Sequence, residues 1–240
     1  FRRVLFRSNA GALSSSSAVT VASGGQLYLN VASATFANNM TIAGGTGAGN
    51  FGALRLDNSG TASGTITLSA DSRIGAFQNG ANFISGRITG GYGIEFYSQQ
   101  NLNAVPITTL QNTGTANDYT GNTTLSITNT AASPSGSKYT LKLGAGNQIP
   151  DGSGKGNLVL NGVNANQLAI FELNGFSETI NGLTNTTAAG AKVQNTATGA
   201  STLTLGAGNA TSTFSGVILD RGAGKTLAIN KTGKIGRAHV

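Results

Sequence analysis

The chain has 240 residues, of which 36 are Gly and 3 are Pro, none is Cys or Trp, and the formal net charge is +7. The lack of Cys excludes a disulfide framework, thiolate metal sites and a cysteine nucleophile, and Gly without a strict three-residue period excludes collagen. A hydrophobic content of 38% with only 10% charged residues argues against charge-driven disorder, and no apolar run is long enough for a membrane-spanning helix.

The two ends of the chain read differently from the rest. The first eight residues, FRRVLFRS, and the last six, IGRAHV, both correspond to translations of one common short-read sequencing adapter, read on its two DNA strands. We therefore interpret residues 1–8 and 235–240 as adapter-derived. The alternative for the N-terminus, a signal peptide with a basic start, lacks the apolar stretch that follows such a start, because Ser and Gly occur from Ser8 to Gly11.

Much of the basic charge belongs to these ends, which contain Arg2, Arg3, Arg7, Arg237 and the only histidine, His239. Without them, 11 basic residues face 8 acidic ones, a formal net charge of +3. We therefore expect no nucleic-acid partner. The absence of both His and Cys also excludes Ser-His-Asp triads, the usual zinc sites and facial-triad iron sites.

From Asn9 to Lys234, short segments of alternating apolar residues are separated by Gly and Asn turns. Alternation with a period of two predicts half-buried strands. In chain order, the predicted strands centre on Leu27–Val31, Met40–Ile42, Leu54–Leu56, Ile66–Leu68, Ile94–Phe96, Leu125–Ile127, Leu141–Leu143, Leu158–Leu160, Leu203–Leu205 and Leu227–Ile229. No window of helical length keeps an apolar stripe, so the chain is predicted to be all-β.

The turns repeat as well, since G-A-G occurs at 47–49, 144–146, 206–208 and 222–224. Repetition of one strand–turn unit favours a solenoid over a sandwich or a barrel. The low charge fits this choice, because stacked coils place equivalent residues about 4.8 Å apart, where like charges repel. We predict a right-handed parallel β-helix with about nine coils of about 25 residues.

Four segments carry a family resemblance: DYTGNTTLSI (Asp118–Ile127), YTLKLGAGNQIPDGSGKGNLVLNG (Tyr139–Gly162), FELNGFSETINGLTN (Phe171–Asn185) and STLTLGAGNATSTFSGVILDRGAGKTLAINKTG (Ser201–Gly233). Their order resembles the autotransporter-associated β-strand repeat of type V secreted passenger domains. Residues 117–234 are therefore expected to form a β-helix with these repeats, and residues 9–116 divergent coils of the same rod. The segment from Thr128 to Lys138 departs from the resemblance, because the family usually turns tightly there.

The resemblance implies a non-enzymatic stalk segment of a secreted or surface-displayed passenger, located outside the cell or on the bacterial surface. It implies a C-terminal outer-membrane barrel outside these 240 residues, and host or matrix glycans or proteins as partners. Two alternatives stay open. The segment is an adhesin binding module on the same β-helix, or it is a fragment of a β-helical polysaccharide-degrading enzyme.

No catalytic, cofactor or metal residues are assigned. The G-x-G-x-x-G match at 47–52 and the phosphate-loop-like end at 222–226 lack the helix that such motifs require, so both are interpreted as turns. An enzyme or calcium site would need clustered carboxylates. The eight acidic residues are instead scattered, at Asp57, Asp71, Glu95, Asp118, Asp151, Glu172, Glu178 and Asp220.

The five tyrosines carry one binding hypothesis. Aromatic rings on the surface of the rod could stack against sugars, whereas rings inside the strand stack would belong to the core, and the second interpretation is favoured. The tyrosines concerned are Tyr28, Tyr92, Tyr97, Tyr119 and Tyr139.

Overall fold

The computed structural model describes residue 13 and residues 17–77, 80–100, 105–129 and 136–233. The ends interpreted as adapter-derived, 1–8 and 235–240, lie outside these described residues. So do residues 130–135, which make up most of the segment that departs from the family resemblance.

The described residues form 22 short strands. The first eleven are β1 Val19–Val21, β2 Leu27–Leu29, β3 Thr35–Phe36, β4 Met40–Ile42, β5 Leu54–Leu56, β6 Thr61–Ala62, β7 Ile66–Leu68, β8 Ser72–Ala76, β9 Ala81–Ile84, β10 Ile88–Gly90 and β11 Ile94–Gln100. The others are β12 Ile107–Leu110, β13 Thr123–Asn129, β14 Ser137–Leu143, β15 Leu158–Asn161, β16 Gln167–Glu172, β17 Glu178–Ile180, β18 Leu183–Asn185, β19 Ala191–Asn195, β20 Ser201–Leu205, β21 Val217–Asp220 and β22 Leu227–Lys231. Every predicted strand is present.

The strands stack into a parallel β-solenoid of about 7 turns, which confirms the predicted fold class. Sheet B runs in the order β18-β15-β13-β11-β8-β5-β2, and sheet C runs β21-β19-β16-β14-β12-β9-β6-β3. Sheets B and C form two of the three faces of the solenoid. The third face carries sheet A (β1-β4-β7-β10) at one end and sheet D (β17-β20-β22) at the other. Sheets B and C run without a break across residue 116, so the two predicted halves of the β-helix share one stack.

The structure has about 7 turns where nine were predicted, although the mean coil length is close to the predicted one: seven steps along sheet C lead from Thr35 to Leu219, about 26 residues each. Individual coils differ in length. Leu54 pairs with Ile74 on the next coil, whereas Thr123 pairs with Leu158, so the longer coils use many more residues for each turn. The extra residues extend the loops between strands. The strands themselves stay short, because the width of the core sets their length.

The core is a column of stacked apolar side chains inside the solenoid. On sheet B, one inward position is filled in successive coils by Leu54, Ile74, Phe96, Leu125 and Leu160, each 0–1% exposed. Full burial of such a side chain stabilises the fold by about 1.5–3 kcal/mol relative to exposure. The apolar residues of the alternating sequence pattern therefore point into this column, and the residues between them point to the outer surface.

In the described part of the chain, the helices are single turns at Ala48–Asn50, Ala188–Gly190 and Ala207–Asn209. Within the described ranges, no helix has the length and apolarity needed to cross a membrane.

The last strands leave apolar side chains uncovered. β21 and β22 are the outermost strands of sheets C and D. Val217 and Ile218 on β21 are 45% and 37% exposed, and Ile229 on β22 is 44% exposed. An open strand edge that also carries apolar side chains is a template for pairing with another chain.

We therefore expect the purified chain to self-associate through this edge. The double variant Ile218→Lys/Ile229→Lys should shift sedimentation-velocity profiles towards monomer, because the added charges oppose edge-to-edge pairing. Thr198→Lys, at an exposed turn, is the control for added charge. A wild-type chain that sediments as a single monomeric species at every concentration would contradict this prediction.

Candidate functional site

A cluster of arginine and aromatic side chains covers the outer face of sheet B near the N-terminal end of the solenoid. We call it the arginine–aromatic cluster. Its members are Tyr28, Phe51, Arg55, Arg73, Phe77 and Tyr97. They come from successive coils, so stacking brings together residues that lie up to 69 positions apart in the sequence.

Arg55 is the centre of this cluster. Its guanidinium carbon lies 4.1 Å from the ring centre of Phe51 and 4.3 Å from that of Tyr28. The same guanidinium forms an ion pair of 2.6 Å with Asp57, which is only 5% exposed. Asp57 also accepts a hydrogen bond from the Tyr28 hydroxyl at 2.8 Å. The cation is thus held between aromatic rings and a buried carboxylate, which is a stabilising arrangement.

Replacing Arg55 by Ala should lower the free energy of unfolding by about 3 kcal/mol, because Asp57 would stay buried without its cation. Arg55→Lys should cost less, since it keeps the charge but loses the planar stacking and the two-point contact. Urea denaturation of both variants measures this, with the exposed Arg221→Ala as control. Equal stability of Arg55→Ala and the control would show that the cluster contributes nothing.

A groove of about 750 Å³ runs beside the cluster, at the corner where the third face meets sheet B. Its lining crosses five consecutive coils. It consists of Gly45, Thr46, Asp71, Ser72, Arg73, Gly93, Ile94, Glu95, Thr120, Gly121, Asn122, Thr124 and Gly156. The groove and the cluster share Arg73, whose guanidinium pairs with Glu95 at 2.7 Å and lies 3.9 Å from the Tyr97 ring centre.

Glycine forms the floor of this groove for a steric reason. A Cβ on Gly121 would lie 2.3 Å from the backbone nitrogen of Gly93 on one neighbouring coil, and a Cβ on Gly156 would lie 2.4 Å from Gly121. The backbones of three coils therefore approach one another too closely for any side chain.

Most of the carboxylates are engaged in structural contacts. Three of them pair with arginines, as Arg55–Asp57, Arg73–Glu95 and Arg87–Asp118. The hydrogen bond from the Thr89 hydroxyl, together with Arg87, holds the pKa of Asp118 below its usual value. Among the described residues, no group of three or more acidic or histidine side chains could hold a metal ion.

Buried polar side chains connect the two sheets of the third face. In the two coils between sheets A and D this face has no strand. There the Asn117 Oδ1 accepts the Ile88 N–H at 2.8 Å, and the Asn117 Nδ2 donates to the Gln148 carbonyl at 2.8 Å. Gln148 exchanges two hydrogen bonds of 2.9 Å with the backbone of Asn112. We call Asn112, Asn117, Gln148 and Glu178 the polar bridge.

Glu178 completes the polar bridge from an inward position that is 1% exposed. Its two carboxylate oxygens accept the backbone N–H groups of Gln148 and Ile149, each at 3.0 Å. Burial raises the pKa of the Glu178 carboxyl to about 7, and the charge of Asp151 adds to the shift, while the two backbone N–H groups oppose it. This carboxyl therefore titrates near neutral pH.

The shift predicts a pH-dependent stability. Because the folded pKa of about 7 lies above the usual 4.5, the folded state binds the proton more tightly, and the free energy of unfolding should fall as pH rises from 4.5 to 7. The contribution over this window is on the order of 3 kcal/mol.

Urea denaturation across this range tests the prediction. Glu178→Gln should be less stable at low pH, because an amide oxygen can accept only one of the two N–H groups well, but its stability should vary less with pH. Asp71→Asn removes an exposed carboxylate and is the matched control. Parallel pH profiles for wild type and Glu178→Gln would rule the prediction out.

The tyrosines fall into two groups. Tyr119 and Tyr139 are 1% and 0% exposed, and their hydroxyls bond to Thr123 and Thr108 at 2.6 and 2.8 Å. Burial raises the pKa of both phenols. These two cannot stack against a sugar, which corrects the surface hypothesis for them and confirms the core interpretation.

The remaining three tyrosines reach the surface to different extents. Tyr97 is 6% exposed beneath Arg73, Tyr28 is half-buried in the arginine–aromatic cluster, and Tyr92 is 44% exposed. Tyr92 directly precedes Gly93 in the floor of the groove. It is the one tyrosine of the five with a freely accessible ring.

The two glycine-rich matches are turns, as predicted. Gly47 has φ +61°, and a Cβ there would lie 2.0 Å from the Gly52 carbonyl oxygen, so the segment closes tightly on itself. Strand β5 follows it, and strand β22 follows Gly222–Thr226, where a nucleotide-binding loop would need a helix.

The sequence reasoning did not single out Arg55, Phe51, Arg73 or the groove threonines. Arg73 and Glu95 are 22 residues apart, which is one coil, and this spacing was the available signal. This spacing is informative only when the coil register is known, and the register cannot be read from the sequence because coil length varies along the chain.

Comparison with known proteins adds no relative: no family model, no curated protein and no solved structure matches the chain significantly. The resemblance to the autotransporter-associated repeat therefore rests on the four quoted segments.

Proposed function

We propose that residues 9–234 are a structural stalk segment of a secreted or surface-displayed autotransporter passenger, without enzymatic activity. The observation that carries this proposal is the unbroken parallel stack of about 7 turns. Each coil in such a stack contacts only its neighbours, so stacking extends the protein in one direction. A rod of this kind holds a domain attached to one end at a fixed distance from whatever anchors the other end.

The side-chain inventory also supports a structural role. The ion pairs Arg73–Glu95 and Arg87–Asp118 each join two adjacent coils, and the buried carboxyl of Glu178 accepts a backbone N–H of the neighbouring coil. These contacts hold coils together. The proposed location is the exterior of the cell or the bacterial surface, and the proposed partners are an outer-membrane barrel encoded downstream and glycans or proteins of a host or matrix.

The second candidate function is an adhesin binding module on the same solenoid. The groove and the exposed Tyr92 favour it, because they offer a polar surface that no described residue covers. The third candidate, a polysaccharide-degrading enzyme, would need a carboxylate cluster, and within the described part of the chain no group of three is present.

Export as an unfolded chain tests the proposal. We expect the segment, fused between a signal peptide and a bacterial outer-membrane translocation unit, to reach the cell surface and to resist external protease once folded there. In the variant Thr41→Cys/Thr67→Cys, two directly paired residues on adjacent coils of sheet A would form a disulfide. Because the closed loop hinders threading of an extended chain, surface signal should fall under oxidising conditions and return with reductant.

The single variant Thr67→Cys is the control, because it carries a thiol but cannot close the loop. Retention of the cysteine-free segment inside the cell, or its complete digestion at the surface, would overturn the passenger proposal. Surface display that is unchanged in the oxidised double variant would overturn export as an extended chain.

A further inference from the structure

The geometry points to the groove on residues 45–156 as a binding site for a neutral oligosaccharide that lies along the solenoid axis. The direction follows from the lining, which comes from five consecutive coils rather than from one strand. With coils about 4.8 Å apart, the groove extends over about 19 Å. This length suits a chain of several sugar units better than a single one.

The lining carries threonine hydroxyl groups at two places along this direction. Thr46 lies on one coil, Thr120 and Thr124 lie on the coil three steps further along, and none of the three side-chain hydroxyls bonds to another described residue. A hydroxyl both donates and accepts, so it matches the hydroxyls of a sugar. Asn122 adds to them: its Oδ1 accepts the Asn157 N–H at 2.8 Å, which leaves the amide Nδ2 to donate to a ligand.

The charges of the groove exclude acidic ligands. Arg73 is committed to Glu95 at 2.7 Å and donates to the Asn50 carbonyl at 2.8 Å. Asp71 adds a second carboxylate, which accepts the Gly93 N–H at 2.7 Å. Two carboxylates face one guanidinium, so nucleic acids and uronic-acid polymers would meet net negative charge.

The lining also disfavours a protein partner. Ile94 is its one large apolar side chain, and it is 2% exposed, so it belongs to the core. Protein interfaces draw their affinity from buried apolar and aromatic anchors, and this groove offers no pocket for one. A sugar ring can bind without such a buried anchor, because its polar edge bonds to hydroxyls and its apolar face packs on one aromatic ring. We assign this ring to Tyr92, which is 44% exposed and directly precedes Gly93 of the lining in the sequence.

Titration calorimetry with the full chain tests this site. The probes are glucose, cellohexaose, maltohexaose, mannohexaose and hexagalacturonate. We expect at least one neutral hexamer to bind at least tenfold more tightly than glucose, and hexagalacturonate not to bind. In the groove variant Thr46→Ala/Thr120→Ala/Thr124→Ala, affinity for that hexamer should fall about tenfold or more, because three hydrogen-bonding groups are lost.

The control variant Thr113→Ala/Thr115→Ala/Thr198→Ala removes three exposed hydroxyls outside the groove and should bind like wild type. Tyr92→Ala, a single exposed substitution, should weaken binding without changing thermal unfolding. The inference is overturned if no neutral hexamer binds at millimolar concentration, if the groove variant binds like the control, or if hexagalacturonate binds as well as the neutral hexamers. Each of these failures leaves the stalk proposal standing, since export and folding do not depend on a ligand.

Discussion

Backbone pairing between successive coils is the constraint on which the rest of this structure depends. Every named strand pairs in parallel with a strand on the next coil, so each residue meets an equivalent position about 4.8 Å away. Apolar side chains tolerate such stacking and form the core. Repeated like charges do not, and the chain accordingly has few charges and pairs a carboxylate with an arginine of an adjoining coil in Arg73–Glu95 and Arg87–Asp118.

The same constraint explains the polar bridge. Between sheets A and D the third face has no strand, and its backbone groups would be left without partners inside the protein. The side chains of Asn117, Gln148 and Glu178 supply these partners, and the backbone of Asn112 is one of the groups they satisfy. A buried carboxylate at Glu178 gives two strong acceptors at the cost of a raised pKa. The solenoid thus continues through the two coils in which loops replace paired strands on the third face.

Function, in this architecture, is a matter of the outer faces. The core and the pairing serve the rod, whereas the corner between the third face and sheet B carries glycines, at which the backbones of neighbouring coils approach too closely for a side chain. That corner becomes a groove, and threonines of two of its coils, Thr46 on one and Thr120 and Thr124 on the other, line it. A stalk and a glycan-binding surface are therefore compatible in one molecule, since they use different atoms of the same coils.

The sequence by itself determined the fold class. Period-two alternation at segments such as Leu54–Leu56 and recurring Gly turns report local geometry, and both are visible in a single coil. Period-two alternation did not predict strands in which it is weak, such as β16, where all six residues are buried. The coil number, the arginine–aromatic cluster, the polar bridge and the groove were decided only by the tertiary structure. Each of these features depends on residues that lie one or more coils apart in the sequence. Which of these residues become neighbours depends on the register between coils. Because coil length changes with every loop, no local sequence pattern encodes that register.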